Sequence, residues 1–81
     1  FNPKTKINYE LLQSSYVMLK IFNIQGKEIE ILINQRQNSG KYDIEFDGSN
    51  LNSGVYFYRI VVSNLNNNKT FYETKSMVLL K

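Results

Sequence analysis

Apolar and polar residues alternate with a period of two along most of the chain. Ile7, Tyr9 and Leu11 are interleaved with Lys6, Asn8 and Glu10, the pattern of a strand with one dry face and one wet face. After the break at Gln13-Ser14-Ser15, Val17, Leu19 and Ile21 repeat it, with Lys20 in the outward set. Ile24-Gln25-Gly26-Lys27 then places a glycine able to take positive φ between two β-rich runs, which predicts a tight hairpin. A third strand is expected from Lys27 to about Ile33. The polar stretch Asn34 to Gly40 predicts a loop, because it ends in the turn composition Asn38-Ser39-Gly40.

Tyr42, Ile44 and Phe46 alternate with Lys41, Asp43, Glu45 and Asp47, giving the cleanest half-wet strand. The connection that follows frames Leu51 with turn residues and is expected to tuck that side chain under the sheet edges. Val55 to Val62 reads as a central strand. Asn64 to Asn68 holds four asparagines in five residues, which suits a hairpin tip because Asn tolerates left-handed backbone. Thr70 to Leu80 predicts two short strands or one bent strand, since Tyr72, Met77, Leu79 and Leu80 keep no single alternation. No apolar set recurs at i, i+3, i+4 and i+7. The expected fold is all-β: a small immunoglobulin-like antiparallel β-sandwich of about seven strands, one domain over residues 1–81.

Within "LNSGVYFYRI", Leu51 to Ile60, the alternation gives way to apolar residues on both faces. Tyr56, Tyr58 and Ile60 are expected on the inter-sheet core. Val55, Phe57 and Val61 then point outward or lie under a loop, as a contact surface or as surface covered by neighbouring strands.

Composition narrows the chemistry. Eighty-one residues make a thin core, which six Tyr and five Phe partly offset by the large area each ring removes from water. The chain has no cysteine and no histidine. Disulfides, thiolate nucleophiles and His-dependent triads are therefore excluded, and no cofactor is expected. The net charge of +3 comes from basic residues scattered between Lys4 and Lys81, unlike the concentrated patch of a nucleic-acid reader. No apolar run is long enough to span a bilayer, so membrane insertion is not expected. The start at Phe1 rather than Met leads us to expect a domain excised from a larger secreted protein.

Three constellations have ordinary alternatives. Asp43, Glu45 and Asp47 share one strand face ahead of Gly48, which suits a hard cation, but the twelfth position of a calcium loop would fall on Gly54 rather than a carboxylate; a solvated face is the plainer reading. Glu28 with Glu30, or Asp43 with Glu45, stand at separations glycosidase chemistry uses, as do most neighbours on a strand face, and a domain this small offers little cleft to tune them. Asn68-Lys69-Thr70 matches a glycosylation acceptor, a match expected by chance in an Asn-rich chain. Exposed tyrosines also leave sugar stacking open.

Five segments in order resemble a known family: Phe1 to Ile7, "IFNIQGKEI" from Ile21 to Ile29, Gly40 ahead of a strand ending Phe46-Asp47, "LNSGVYFYRI", and "TKSMVLLK" from Thr74 to Lys81. Together they are similar to the type A C-terminal sorting domain of the type IX secretion system, over the whole chain. The resemblance implies a non-catalytic signal at the end of a secreted protein of a Bacteroidota-like Gram-negative bacterium. It would be recognised by the outer-membrane translocon and its shuttle proteins, then cut from its upstream cargo domain at the cell surface by a sortase, after passage through the periplasm. Matched to the family's elements, Gly54, Val55 and Tyr56 form its Gly-x-Tyr element, and Lys75, Met77, Leu79, Leu80 and Lys81 its C-terminal element. Gly26 and Gly40 match its turn glycines. Ser76 departs from it where a second basic residue is common. The alternative is a structural immunoglobulin-like spacer or a self-assembling β-module, with self-association through strand edges.

Overall fold

In the computed structural model, which describes residues 2–81, the chain forms six strands and no helix. They are β1 (Lys4–Leu11), β2 (Ser15–Asn23), β3 (Glu28–Gln37), β4 (Gly40–Asp47), β5 (Gly54–Asn64) and β6 (Thr70–Leu79). Two antiparallel sheets result: β1-β4, and a larger one in the order β3-β2-β5-β6. The sandwich-like, all-β expectation holds, with six strands instead of about seven. Phe1, the first residue of the quoted N-terminal run, lies outside the described residues.

The core is the meeting of the two alternating faces. Val17, Leu19 and Ile21 of β2, Ile7 of β1, Phe46 of β4 and Leu79 of β6 are buried. Tyr58, Ile60, Leu51 and three residues of β3 (Ile29, Leu32 and Ile33) pack against this cluster, so the inward set expected for β5 and the tucked Leu51 are both found. The outward set is half-buried, not bare. Phe57 stands opposite Phe22, and Val61 opposite Met18 on one side and Tyr72 on the other. Cross-strand neighbours of this kind cover each other on a sheet face.

Two expectations change. The loop placed at Asn34 to Gly40 shrinks to Asn38 and Ser39, because β3 continues to Gln37 and pairs with β2 as far as Ser15. An edge strand needs only backbone partners, and here polar side chains add bonds: Tyr16 Oη donates to Asn34 Oδ1 at 2.6 Å and Tyr9 Oη to Gln37 Oε1 at 2.5 Å. Likewise Thr70 to Leu79 is one continuous strand. Its alternation is obscured because only its second half is roofed by the smaller sheet: Met77 and Leu79 are buried, while Phe71, Glu73 and Lys75, on the same face, are exposed.

The turns are as local chemistry dictates. At the β2–β3 hairpin, Gly26 takes φ +82°, a left-handed conformation costly for any residue with a Cβ. Asn23 Oδ1 accepts the backbone N–H groups of Gln25 and Lys27, each at 2.9 Å. At the Asn-rich tip, Asn68 takes φ 58° and Asn64 Oδ1 accepts the N–H of Asn66 at 2.8 Å.

In the smaller sheet Tyr9 stacks on Tyr42, with ring centroids 5.3 Å apart and planes 14° from parallel. Burial pushes the Tyr9 phenol above the usual tyrosine range, with Tyr42 adding to the shift and the Gln37 hydrogen bond opposing it. The folded chain therefore holds this proton longer than the unfolded one. The associated stability is full below pH about 10 and is lost as pH rises through the folded value. In an absorbance titration, the step missing from Tyr9→Phe is expected to lie above the ordinary tyrosine value of about 10; a step at or below that value would refute this.

Candidate recognition surface

The two sequence elements expected to carry recognition lie far apart in the chain yet form one paired unit. Gly54 stands opposite Leu79, Val55 opposite Val78, and Tyr56 opposite Met77; Lys75 stands opposite Tyr58. Gly54 begins β5 with φ +157°, a backbone conformation that side-chain-bearing residues rarely adopt, and nothing crowds the space where a Cβ would sit. Its glycine thus answers a backbone need. Tyr56 is buried, and its hydroxyl donates to the Asn52 carbonyl at 2.7 Å, closing the turn that leads into the strand.

Along β6 and just beyond it the expected residues divide by burial. Met77 and Leu79 point into the core and are buried. Lys75, Leu80 and Lys81 are exposed, with Leu80 at 63%. Val55 is half-buried on the outer face. Gly26 sits in the β2–β3 turn and Gly40 opens β4, both distant in sequence from this unit.

The last residue is docked. The Lys81 backbone N–H donates to Ser53 Oγ at 3.1 Å and its ammonium to the Ser49 carbonyl at 2.5 Å, which ties the end of the chain to the β4–β5 connection. Asp47 lies beside this clasp. Its carboxylate accepts hydrogen bonds from the Ser49 hydroxyl and backbone N–H. Those bonds hold its carboxyl below the usual range, with Lys4 and Lys81 contributing charge. Sequence periodicity gives no signal for Ser49 and Ser53, because both act through backbone and hydroxyl contacts with a residue about thirty positions away.

The acidic row on β4 faces solvent: Asp43, Glu45 and Asp47 are exposed, and Glu45 lies 3.7 Å from the Lys4 ammonium. Glu28 is 2.9 Å from Lys20. Among the described residues no group of three acidic side chains is placed to hold a metal ion. Among the same residues no helix is long and apolar enough to cross a membrane. The unit presents two exposed apolar side chains, Val78 and Leu80, and two cationic ones, Lys75 and Lys81, near the end of β6, mounted on a buried base. A further feature missed by sequence reading is Arg59, whose guanidinium carbon lies 4.9 Å from the centre of the Tyr72 ring, shielding part of the outer sheet face.

A family model described as secretion system C-terminal sorting domain matches residues 2–77. No curated protein and no solved structure matches the chain.

Proposed function

The chain belongs to the secretion system C-terminal sorting domain family, and from that premise we propose that it is read by the type IX outer-membrane translocon through the unit built from Gly54-Val55-Tyr56 and the segment Lys75 to Lys81. Domains of this family mark the protein that carries them for the cell surface or for release. In our reading, shuttle proteins and the translocon engage Lys75, Leu80 and Lys81, three of the exposed residues of the unit, while Tyr56, Met77 and Leu79 hold them in place. A sortase then removes the domain from its upstream cargo after passage through the periplasm. The observation that supports this most is the docked tail: Leu80 is presented to solvent between a buried Leu79 and a Lys81 tied to Ser49 and Ser53. A fixed apolar side chain costs less to bind than a fraying one, because its ordering entropy is already spent.

A reporter joined ahead of the domain is expected to appear on the surface of a type IX-competent host. It should remain inside an otherwise identical host lacking the translocon. Equal surface display in both hosts would overturn the proposal.

A further inference from the structure

Among the described residues four strands border sheet edges in this sandwich, and three of them carry features that resist pairing. β3 is interrupted by two register shifts against β2, and bulges twist an edge away from new partners. β1 carries Lys4 and Lys6, and β4 carries Asp43, Glu45 and Asp47, so each of these opposes a copy of itself. β6 differs: its pairing to β5 runs from Thr70 to Leu79 without a shift, and it contains no proline.

The direction of its backbone groups follows from two hydrogen bonds. Asn64 N–H donates to the Lys69 carbonyl at 2.8 Å, and Leu65 N–H to the Ser14 carbonyl at 3.3 Å. Antiparallel alternation from these points turns the N–H and C=O groups of Glu73 and Lys75 toward β5, and those of Tyr72, Thr74 and Ser76 toward the open edge. Glu73 and Lys75, 3.4 Å apart, both lie on the inward face of β6, in the half that the smaller sheet leaves uncovered.

The geometry points to a symmetric dimer in which β6 pairs antiparallel with β6 of a second copy, about a two-fold axis at Thr74. In that register Tyr72 meets Ser76 of the second copy and Thr74 meets its own counterpart through the outward backbone groups. Glu73 of each copy then faces Lys75 of the other, in the closer, non-hydrogen-bonded type of pair. A lone inward-facing charge on an edge strand discourages pairing. An acid and a base two positions apart do so in all neighbouring registers but one: sliding by one step sets Glu73 against Glu73 or Lys75 against Lys75, and like charges directly opposite are destabilising. A two-fold contact also closes on itself, so it gives dimers rather than fibres. This inference does not depend on the export reading.

Charge reversal tests it by analytical ultracentrifugation of the 81-residue chain over a concentration series. Wild type is expected to show a monomer–dimer equilibrium, and Glu73→Lys or Lys75→Glu alone to weaken it about tenfold, since each reversal creates two like-charge pairs. Mixing the two variants should restore dimers, and the double variant should dimerise like wild type. Thr74→Pro, which removes an outward N–H and no bond to β5, should be monomeric with an unchanged far-UV circular dichroism spectrum. A monomeric wild type, open-ended fibres, or dimers indifferent to both reversals would overturn the proposal, as would failure of the mixture to associate.

Discussion

Phe46→Ala is expected to remove a large share of the domain's stability. Phe46 is the largest fully buried side chain, 1% exposed, and it reaches from β4 into the core formed with Leu19, Ile21 and Leu79. Truncating a buried Phe removes transfer energy and leaves a cavity, at a cost of about 3–5 kcal/mol. A chain of 81 residues has a total stability of about 4–12 kcal/mol at typical values per residue. The smaller sheet has only two strands to deliver apolar contacts, so little can collapse into the gap. Urea denaturation followed by circular dichroism measures the loss directly. A change under about 1 kcal/mol would mean that β4 contributes far less to the core than its burial implies.

Adjacent leucines near the end of the chain separate folding from recognition. Leu79 is 0% exposed and Leu80 is 63% exposed. Leu79→Ala is expected to cost about 2–5 kcal/mol, whereas Leu80→Ala should stay within about 0.5 kcal/mol of wild type. Surface display of a fused reporter should fall in both variants, by different routes. In Leu79→Ala it should recover when the temperature is lowered or a stabilising substitution is added elsewhere. In Leu80→Ala the fold is intact throughout, and display should stay low whatever the temperature. Normal display by Leu80→Ala combined with Lys81→Ala would remove the tail from the recognised surface and leave it a purely structural role.

These residues also show which parts of the architecture are legible in a sequence. Tyr42, Ile44 and Phe46 alternate cleanly with charged residues because β4 has one face on the core and one in water. The same logic placed Tyr56, Tyr58 and Ile60 inward. It failed for Asn34 to Gln37, where edge pairing to β2 needs backbone groups and leaves the side chains free to be polar. It blurred Thr70 to Leu79, because a strand roofed along half its length changes pattern midway. For the candidate surface, the Gly-x-Tyr and C-terminal elements were visible as motifs. That they pair with each other, and that Lys81 is held by Ser49 and Ser53, depends on contacts between distant positions and leaves no periodic trace.

The order of the sheets sets a sequence of events for the newly made chain. The β2–β3 and β5–β6 hairpins join neighbours in the chain, but the β1–β4 ladder, which pairs Lys4 with Asp47 and Leu11 with Gly40, must close around the entire β2–β3 hairpin. Closing such a loop is entropically the more demanding step. The β2–β5 ladder, which pairs Asn23 with Tyr56 and Ser15 with Asn64, closes a longer stretch still, so the local hairpins form ahead of both long-range ladders. Until those ladders close, the apolar face that Val17, Leu19 and Ile21 give to β2 has no sheet across from it.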